Sequence, residues 1–243
     1  MSLEDKTGMK IPSITFKTRV GHEWVDKTTE DYFAGKKVVA FALPGAYTPT
    51  CSSTHLPRYS ELHDTFMKAG IDDIICISVN DTFVMNEWQL DQGADNITML
   101  PDGNGELSKA LGMLVDKSAI GFGPRSWRYS MLVNDGTIEK MFLEPEVDGD
   151  PFDQSTAETM LKHLDAATEI PKSYAVYTRP GCNFCHDAKV LLEKKGVDFE
   201  EHVLNHDYSI KTLVAISGDT KVPQVFANGQ RIGGSEELAK YFS

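Results

Sequence analysis

Two kinds of hydrophobic pattern alternate along the chain. Short continuous apolar runs bounded by turn residues predict buried strands, and apolar residues at three- to four-residue spacing predict helices. The first part of the chain predicts strand 37–43, helix 52–68, strand 74–79, helix 82–90, a hairpin of strands 129–133 and 137–143, and helix 155–167. The remainder predicts strand 173–177, helix 184–195, strand 198–203, helix 209–216, strands 224–227 and 230–232, and a final helix. Because strands and helices alternate in both parts, we predict an α/β fold for each.

A small polar stretch around Pro171 separates the two patterns, and proline there stops a helix. The charge changes at the same place. Residues 1–170 hold 27 of the 36 acidic and 15 of the 24 basic residues, whereas residues 171–243 hold nine of each. We therefore predict a first domain over residues 1–167, a linker over 168–171 and a second domain over 172–243.

The formal net charge is -12, and no run rich in Lys or Arg occurs, so we expect no nucleic-acid partner. The first ten residues are polar, and no stretch of ~18 consecutive apolar residues occurs. We therefore expect no signal peptide, no membrane partner and a cytoplasmic location. In that compartment the four cysteines are too few for a disulfide scaffold, so each of them needs its own explanation.

Cys182 and Cys185 form a Cys-x-x-Cys pair between a predicted strand and a predicted helix. A helix N-terminus favours an anion, so Cys182 is the candidate nucleophile, with a pKa below the ~8.5 of a free cysteine. Cys185, one helical turn later, is close enough to form a disulfide with it and suits a resolving thiol. Three alternatives stay open: haem attachment through Cys-x-x-Cys-His186, a zinc site with His202 and His206, and two inert buried cysteines.

Further motifs accompany this pair. Lys221-Val222-Pro223 resembles the Thr-Val-Pro loop of the glutaredoxins, whose proline is cis, and Gly233-Gly234-Ser235-Glu236 resembles their glycine pair and acidic helix start. Residues 172–243 thus resemble a glutaredoxin, although Asn183-Phe184 replaces the common Pro-Tyr and a lysine replaces the first Thr. The resemblance implies a site where a strand edge, two glycines and a helix N-terminus receive glutathione. The predicted glutathione-binding residues are Arg179, Phe184, Lys221, Val222, Pro223, Gly233, Gly234 and Ser235.

A third cysteine, Cys51, ends the segment Pro44-Gly-Ala-Tyr-Thr48-Pro-Thr-Cys51, where a buried strand has ended and a helix begins. A lone cysteine at such a junction is structural more often than catalytic. However, Pro-x-x-x-Thr-x-x-Cys resembles the active-site motif of the peroxiredoxins, and residues 54–57 and 78–81 resemble their peroxiredoxin-5-like branch. The resemblance extends over about residues 1–167.

The resemblances imply two thioredoxin-like domains, each with a mixed central sheet flanked by helices, and a peroxide-cleaving site in the first. Cys51 would be the attacking thiolate. Arg128 matches the arginine that this family supplies from a distant strand, with Arg125 as the weaker candidate. It would lower the pKa of Cys51 and hydrogen-bond the peroxide oxygens. The Thr48 hydroxyl would bond thiolate and peroxide, and Pro44 would shield the sulfur from water.

The fourth cysteine, Cys76, lies within a predicted buried strand, where cysteines usually act as inert hydrophobes. The first domain then lacks its own resolving thiol. We predict a glutathione-dependent peroxidase for hydrogen peroxide and alkyl hydroperoxides, in which glutathione caps the Cys51 sulfenic acid and Cys182 removes that glutathione. One alternative is direct resolution by the Cys182/Cys185 dithiol. Another is a peroxide sensor whose glutaredoxin-like site holds an iron–sulfur cluster through Cys182 and external glutathione.

Apart from glutathione as a reducing co-substrate, we expect no tightly bound cofactor and no metal. The expected partners are hydroperoxides and glutathione, with glutathione reductase and NADPH acting indirectly. We also expect a homo-oligomer formed through the acidic domain. Phe122 and Trp127 could line an apolar entrance, but core packing is the favoured explanation for both.

Overall fold

The computed structural model describes residues 3–147 and 149–243, which form two compact units. The first unit ends at Ile170 and the second begins at Pro171. Each unit has its own mixed sheet, with helices packed against it. The predicted α/β fold class is therefore confirmed. Every helix within residues 3–147 and 149–243 is too short or too polar to span a bilayer.

The first unit contains nine strands and six α-helices among the described residues. In chain order they are β1 (Thr15–Val20), β2 (Glu23–Thr28), α1 (Thr29–Phe33), β3 (Lys37–Leu43), α2 (Leu56–Glu61), α3 (His63–Lys68), β4 (Asp73–Ser78), α4 (Thr82–Asp91), β5 (Thr98–Pro101), α5 (Glu106–Ala110), β6 (Leu114–Asp116), β7 (Pro124–Ser126), β8 (Tyr129–Asn134), β9 (Thr137–Leu143) and α6 (Ala157–Leu164). A π-helical turn at Cys51–His55 precedes α2, and a 3₁₀ turn at Ser118–Ile120 lies between β6 and β7.

The main sheet of the first unit has the order β5-β4-β3-β8-β9. β3, β4 and β5 are parallel, while β8 runs antiparallel to β3 and to β9. Successive side chains of β3 enter two different cores, because neighbours in a strand point to opposite faces. Phe41 packs with α2, α3, α4 and α6 on one face, and Ala40 packs with α1 and α5 on the other. Both faces of β3 are thus covered, as its uninterrupted apolar sequence predicts.

The helix predicted over residues 52–68 is wrong as one continuous element. Because Pro57 has no amide hydrogen, an α-helical bond is missing there, and the Leu56 amide bonds to the Cys51 carbonyl, five residues earlier. A second break falls at Leu62, whose φ of -91° and ψ of 7° lie outside the regular helix. Nothing in the sequence marks that second break.

The last helix of the first unit is shorter than the predicted span of 155–167. It begins after Thr156, whose side chain accepts a hydrogen bond from the Thr159 amide. It ends at Leu164, because the Asp165 carboxylate accepts from the Ala167 amide and so competes with further helical bonding.

The second unit holds a four-stranded sheet and three helices among the described residues. These elements are β10 (Tyr174–Thr178), α7 (Asn183–Lys194), β11 (Glu200–Val203), α8 (Ile210–Ser217), β12 (Gln224–Ala227), β13 (Gln230–Gly233) and α9 (Ser235–Tyr241). The strand order is β11-β10-β12-β13, with β10 and β11 parallel and the other two pairings antiparallel. Val176 and Val225 from the sheet pack against Ala188 and Leu192 of α7 and Leu238 of α9.

Candidate active site

Cys51 is held in the first turn of a helical segment that follows the buried strand β3. Its side chain is fully buried in the core that also contains Phe41 and Tyr59. The turn that delivers it is tied to the end of β4, since the Ala46 amide and the Ser78 hydroxyl both donate to the side-chain oxygen of Asn80. The position of the sulfur is therefore fixed by two neighbouring strands.

Arg128 directly precedes β8, the antiparallel neighbour of β3, and its side chain extends to Cys51. The register pairs Ala42 with Tyr129, so the residue before Tyr129 lies beside the end of β3 where the Cys51 segment starts. Nη1 of Arg128 lies 3.6 Å from Sγ of Cys51. Arg128 is only 1% exposed, so its positive charge faces the sulfur in a site shielded from water.

Two other residues hold the guanidinium of Arg128, and neither was predicted as a site residue. Nη1 also donates to Nδ1 of His55 at 3.0 Å, and Nη2 donates to Oδ1 of Asp150 at 2.5 Å. Because a guanidinium can only donate, Nδ1 of His55 must accept, which leaves the ring proton of neutral His55 on Nε2. Burial, together with the Arg128 charge, holds the pKa of His55 well below its ordinary value. His55 is thus a neutral acceptor at neutral pH.

Pro44 and Thr48 lie in the turn between β3 and Cys51, and both are half-buried. The hydroxyl of Thr48 donates to the Gly45 carbonyl at 2.8 Å. A hydroxyl has only one hydrogen, so Thr48 does not donate to the sulfur of Cys51 in this structure. This differs from the prediction that the Thr48 hydroxyl bonds the thiolate. Its lone pairs remain able to accept a hydrogen bond.

Three other sequence candidates occupy structural positions. Arg125 donates to the Val79 carbonyl rather than to Cys51. Trp127 is buried and donates from its indole nitrogen to the Glu144 carbonyl, so core packing explains it. Cys76 is fully buried in β4, and burial, with a smaller contribution from Cys51, raises the pKa of its thiol well above the ordinary value. A neutral thiol is a poor nucleophile.

In the second unit Cys182 precedes α7 and caps it. Its sulfur accepts a hydrogen bond from the Cys185 amide at 3.2 Å, and the two cysteines are joined as a disulfide. Cys182 is half-buried, whereas Cys185 is 2% exposed. A pocket of about 350 Å³ lies against the pair, with Arg179 and Lys189 in its lining. Cys182 is thus the more accessible sulfur.

Of the other predicted glutathione-binding residues, Val222 lies close to Cys182, and three more have exposed side chains. The Val222 carbonyl oxygen lies 3.9 Å from Sγ of Cys182, and the peptide between Val222 and Pro223 is cis, as the resemblance implied. The side chains of Arg179, Phe184 and Lys221 are exposed, and within the described part of the chain those of Arg179 and Lys221 form no hydrogen bond or ion pair.

The glycine pair is explained by close packing against α9. Gly233 has a φ of 127°, and a Cβ there would come within 2.9 Å of Glu237 side-chain carbons. The Gly234 amide donates to Oε2 of Glu237 at 2.9 Å, just before the helix begins at Ser235. Hydrogen bonds from the backbone amides of Glu237 itself and of Gly234 hold the pKa of the Glu237 carboxyl below its ordinary value. A carboxylate is therefore already bound at the helix start, and it comes from the chain itself.

The histidines considered for zinc have other neighbours. The His202 ring stacks on Tyr177, and Nδ1 of His206 lies 2.6 Å from a carboxylate oxygen of Asp207. Within residues 3–147 and 149–243, no group of three or more His, Cys, Asp or Glu side chains could hold a metal ion.

Comparisons with known proteins cover both units. The redoxin family model matches residues 6–161, and the glutaredoxin family model matches residues 175–232. The hybrid peroxiredoxin hyPrx5 of Haemophilus influenzae is 56% identical over 236 residues, which cover 97% of this chain and 98% of that protein. A peroxiredoxin of Synechocystis, sll1621, is 58% identical over an alignment of 174 residues. The match covers 66% of this chain and 92% of that protein.

Solved structures match the first unit. Reduced Prx3 of Vibrio vulnificus in complex with hydrogen peroxide superposes with a TM-score of 0.62 and 41% identity, covering 65% of this chain and 98% of that one. An antioxidant protein of Plasmodium falciparum, described as a 1-Cys peroxiredoxin, gives a TM-score of 0.63 at 33% identity, covering 66% of this chain and 99% of its own.

Proposed function

Because this chain belongs to the hybrid peroxiredoxins, with a redoxin domain followed by a glutaredoxin domain, we propose that it reduces hydroperoxides with electrons from glutathione. The chain is a thiol peroxidase, and its fused glutaredoxin domain supplies a thiol–disulfide exchange activity. The observation that carries the proposal is the 3.6 Å approach of Nη1 of Arg128 to Sγ of Cys51 in a buried site. The complex of the Vibrio vulnificus relative with hydrogen peroxide supports that peroxide as a substrate.

In the first step the Cys51 thiolate attacks one oxygen of the hydroperoxide. A sulfur–oxygen bond forms, the oxygen–oxygen bond breaks, and the departing alkoxide or hydroxide takes up a proton to leave as alcohol or water. Cys51 is thereby oxidised to a sulfenic acid. The guanidinium of Arg128 stabilises the thiolate and donates hydrogen bonds to the oxygens as negative charge develops on the leaving group.

Three exchanges then regenerate both thiols, Cys51 in the second exchange and Cys182 in the third. A first glutathione thiol displaces water from the sulfenic acid and leaves a mixed disulfide on Cys51. The Cys182 thiolate attacks the glutathione sulfur of that disulfide, which releases the Cys51 thiolate and moves the glutathione to Cys182. A second glutathione thiol attacks the glutathione sulfur on Cys182, which frees the Cys182 thiol and forms glutathione disulfide. Glutathione reductase then reduces glutathione disulfide with NADPH.

A second route is favoured by one observation, the disulfide between Cys182 and Cys185. In this route Cys182 attacks the sulfenic acid directly, and water leaves as the mixed disulfide with Cys51 forms. Cys185 then attacks Cys182 and releases Cys51, which leaves the disulfide seen in the structure. The first route needs only Cys182 from the second unit, and the second route needs both cysteines.

The proposal is tested by peroxide-dependent oxidation of NADPH in the presence of glutathione and glutathione reductase. We expect Cys51→Ala to abolish this oxidation. The matched control is Cys76→Ala, which removes the other buried thiol of the same unit and keeps the activity. Oxidation of NADPH at the wild-type rate by the Cys51→Ala variant would contradict the proposal.

A further inference from the structure

An acidic residue from the segment between β9 and α6 binds the arginine of the peroxide site. Asp150 forms an ion pair with Arg128, with Oδ1 of the carboxylate 2.5 Å from Nη2. The Arg128 side chain is 1% exposed and the Asp150 side chain is 44% exposed. The pair therefore connects a buried guanidinium to the rim of the site, and Asp150 belongs to none of the motifs that mark the site in the sequence.

The segment that carries Asp150 is fixed at its base. Oε1 of the buried Glu144 accepts hydrogen bonds from the amides of Asp153 and Ser155 and from the Ser155 hydroxyl, at 2.7 to 2.9 Å. Within the segment, the Phe152 ring lies 5.5 Å from the Arg128 guanidinium carbon. Glu144 thus fixes the backbone just after Asp150, and Phe152 of the same segment packs on the guanidinium that Asp150 binds.

The ion pair controls which way the guanidinium faces. A guanidinium is planar and rigid, so holding Nη2 also sets the direction of Nη1 and Nε. Nη1 is directed at Cys51 and His55, and Nε is buried with no hydrogen-bond partner among the described residues. With Nη2 bound to Asp150 and Nη1 bound to Cys51 and His55, the Nε–H group is left for a reacting oxygen.

We propose that Asp150 is a positioning residue for peroxide cleavage, acting through Arg128. It holds the guanidinium in the orientation that the reaction needs, so that no rotation is required as charge develops on the leaving oxygen. This inference rests on the proposed role of Arg128. The new element is Asp150, a half-exposed residue between β9 and α6 that holds Arg128 in place.

The first test compares Asp150→Ala and Asp150→Asn with Asp153→Ala in the full-length chain. Asp153→Ala is the matched control, because this substitution removes the same charge from the same segment. The Asp153 side chain contacts Gln154 and not Arg128. The rate constant of the reduced chain with hydrogen peroxide is measured in competition with a haem peroxidase. We expect a loss on the order of tenfold for Asp150→Ala, partial recovery in Asp150→Asn because an amide oxygen still accepts, and no loss for Asp153→Ala.

The second test places Asp150→Ala in an Arg128→Lys background. A residue that acts through the guanidinium has no further effect once the guanidinium is gone, so the double variant should react at the rate of Arg128→Lys alone. Two results would overturn the inference: equal rates for the Asp150→Ala and Asp153→Ala variants, or the same fold loss from Asp150→Ala in both backgrounds. If Arg128→Lys itself reacts at the wild-type rate, the proposed role of Arg128 fails instead.

Discussion

Nη1 of Arg128 lies 3.6 Å from Sγ of Cys51, although 77 residues separate the two in the chain. The antiparallel pairing of β3 with β8 brings them together, and burial removes the water that would otherwise screen the charge. Peroxide cleavage by this chain depends, in our account, on that one contact and on the residues that maintain it.

The contact makes the shape of the Arg128 side chain important as well as its charge. Arg128→Lys keeps a positive charge but loses the planar fork, so we expect the rate constant with hydrogen peroxide to fall by about 10- to 100-fold, the range expected for loss of a charge-assisted hydrogen bond. Arg125→Lys is the control, because Arg125 bonds to the Val79 carbonyl. Equal rates for the two variants would show that the guanidinium of Arg128 is not used.

The buried histidine predicts a pH dependence of stability. Because burial and Arg128 depress the pKa of His55, the unfolded chain takes up a proton below about pH 6.5 that the folded chain does not bind. Stability from this residue is thus complete above about pH 6.5 and is lost as the pH falls, by up to about 1.4 kcal/mol per pH unit.

Tryptophan fluorescence during denaturant unfolding measures this effect in the first unit, since all three tryptophans lie there. His55→Asn, which keeps an acceptor near Arg128, should flatten the decline in unfolding free energy between about pH 6.5 and 5. The exposed His163 provides the control variant His163→Asn, which should decline like the wild type. An unchanged decline in His55→Asn would refute this source of the pH dependence.

The different exposure of Cys182 and Cys185 predicts which of the two reduction routes Cys51 uses. Cys182 is the more exposed sulfur and Cys185 is 2% exposed, so Cys182 alone should accept glutathione from Cys51. We expect Cys185→Ser to retain turnover with glutathione and Cys182→Ser to lose it, measured as peroxide-dependent NADPH oxidation. Loss of turnover in Cys185→Ser would instead support direct resolution by the dithiol.

The packing at Gly233 predicts a specific defect in glutathione use. Gly233→Ala would bring a Cβ within 2.9 Å of Glu237 and displace the carboxylate that binds the Gly234 amide. We expect the KM for glutathione to rise on the order of tenfold through disturbed backbone geometry at the proposed site. Gly229→Ala is the control, because Gly229 also has a positive φ but nothing within 4 Å of the added Cβ. If both variants have the same KM, this part of the chain does not contact glutathione.

The sequence predicts an element well where burial requires a regular pattern of apolar residues. β3 was expected at its observed bounds, because a strand covered on both faces consists of apolar residues throughout. The β1–β2 hairpin, with Gly21 at its turn, was missed because its strands are rich in charged and polar residues. The break at Pro57 could have been anticipated, since proline cannot donate the bond that a regular helix needs there.

The two residues that bind Arg128, His55 and Asp150, differ in how far the sequence predicts them. His55 is four residues after Cys51, a spacing that places both on one face of a helix, so the sequence did contain a signal for it. Asp150 gave no such signal, because its contact with Arg128 depends on how Glu144 folds the intervening segment. Long-range partners of this kind follow from the tertiary structure and not from a local motif.

Glutathione bound to Cys51 is the proposed intermediate that Cys182 removes, so a chain that lacks the Cys182 thiol should trap it. The Cys182→Ser chain is reduced, mixed with one equivalent of hydrogen peroxide and excess glutathione, quenched and digested, and the modified cysteine is located by mass spectrometry. We expect glutathione to accumulate on Cys51 in this variant and to be cleared from Cys51 in the wild-type chain. Recovery of Cys51 without glutathione, or in a disulfide with Cys76 or Cys185, would contradict it.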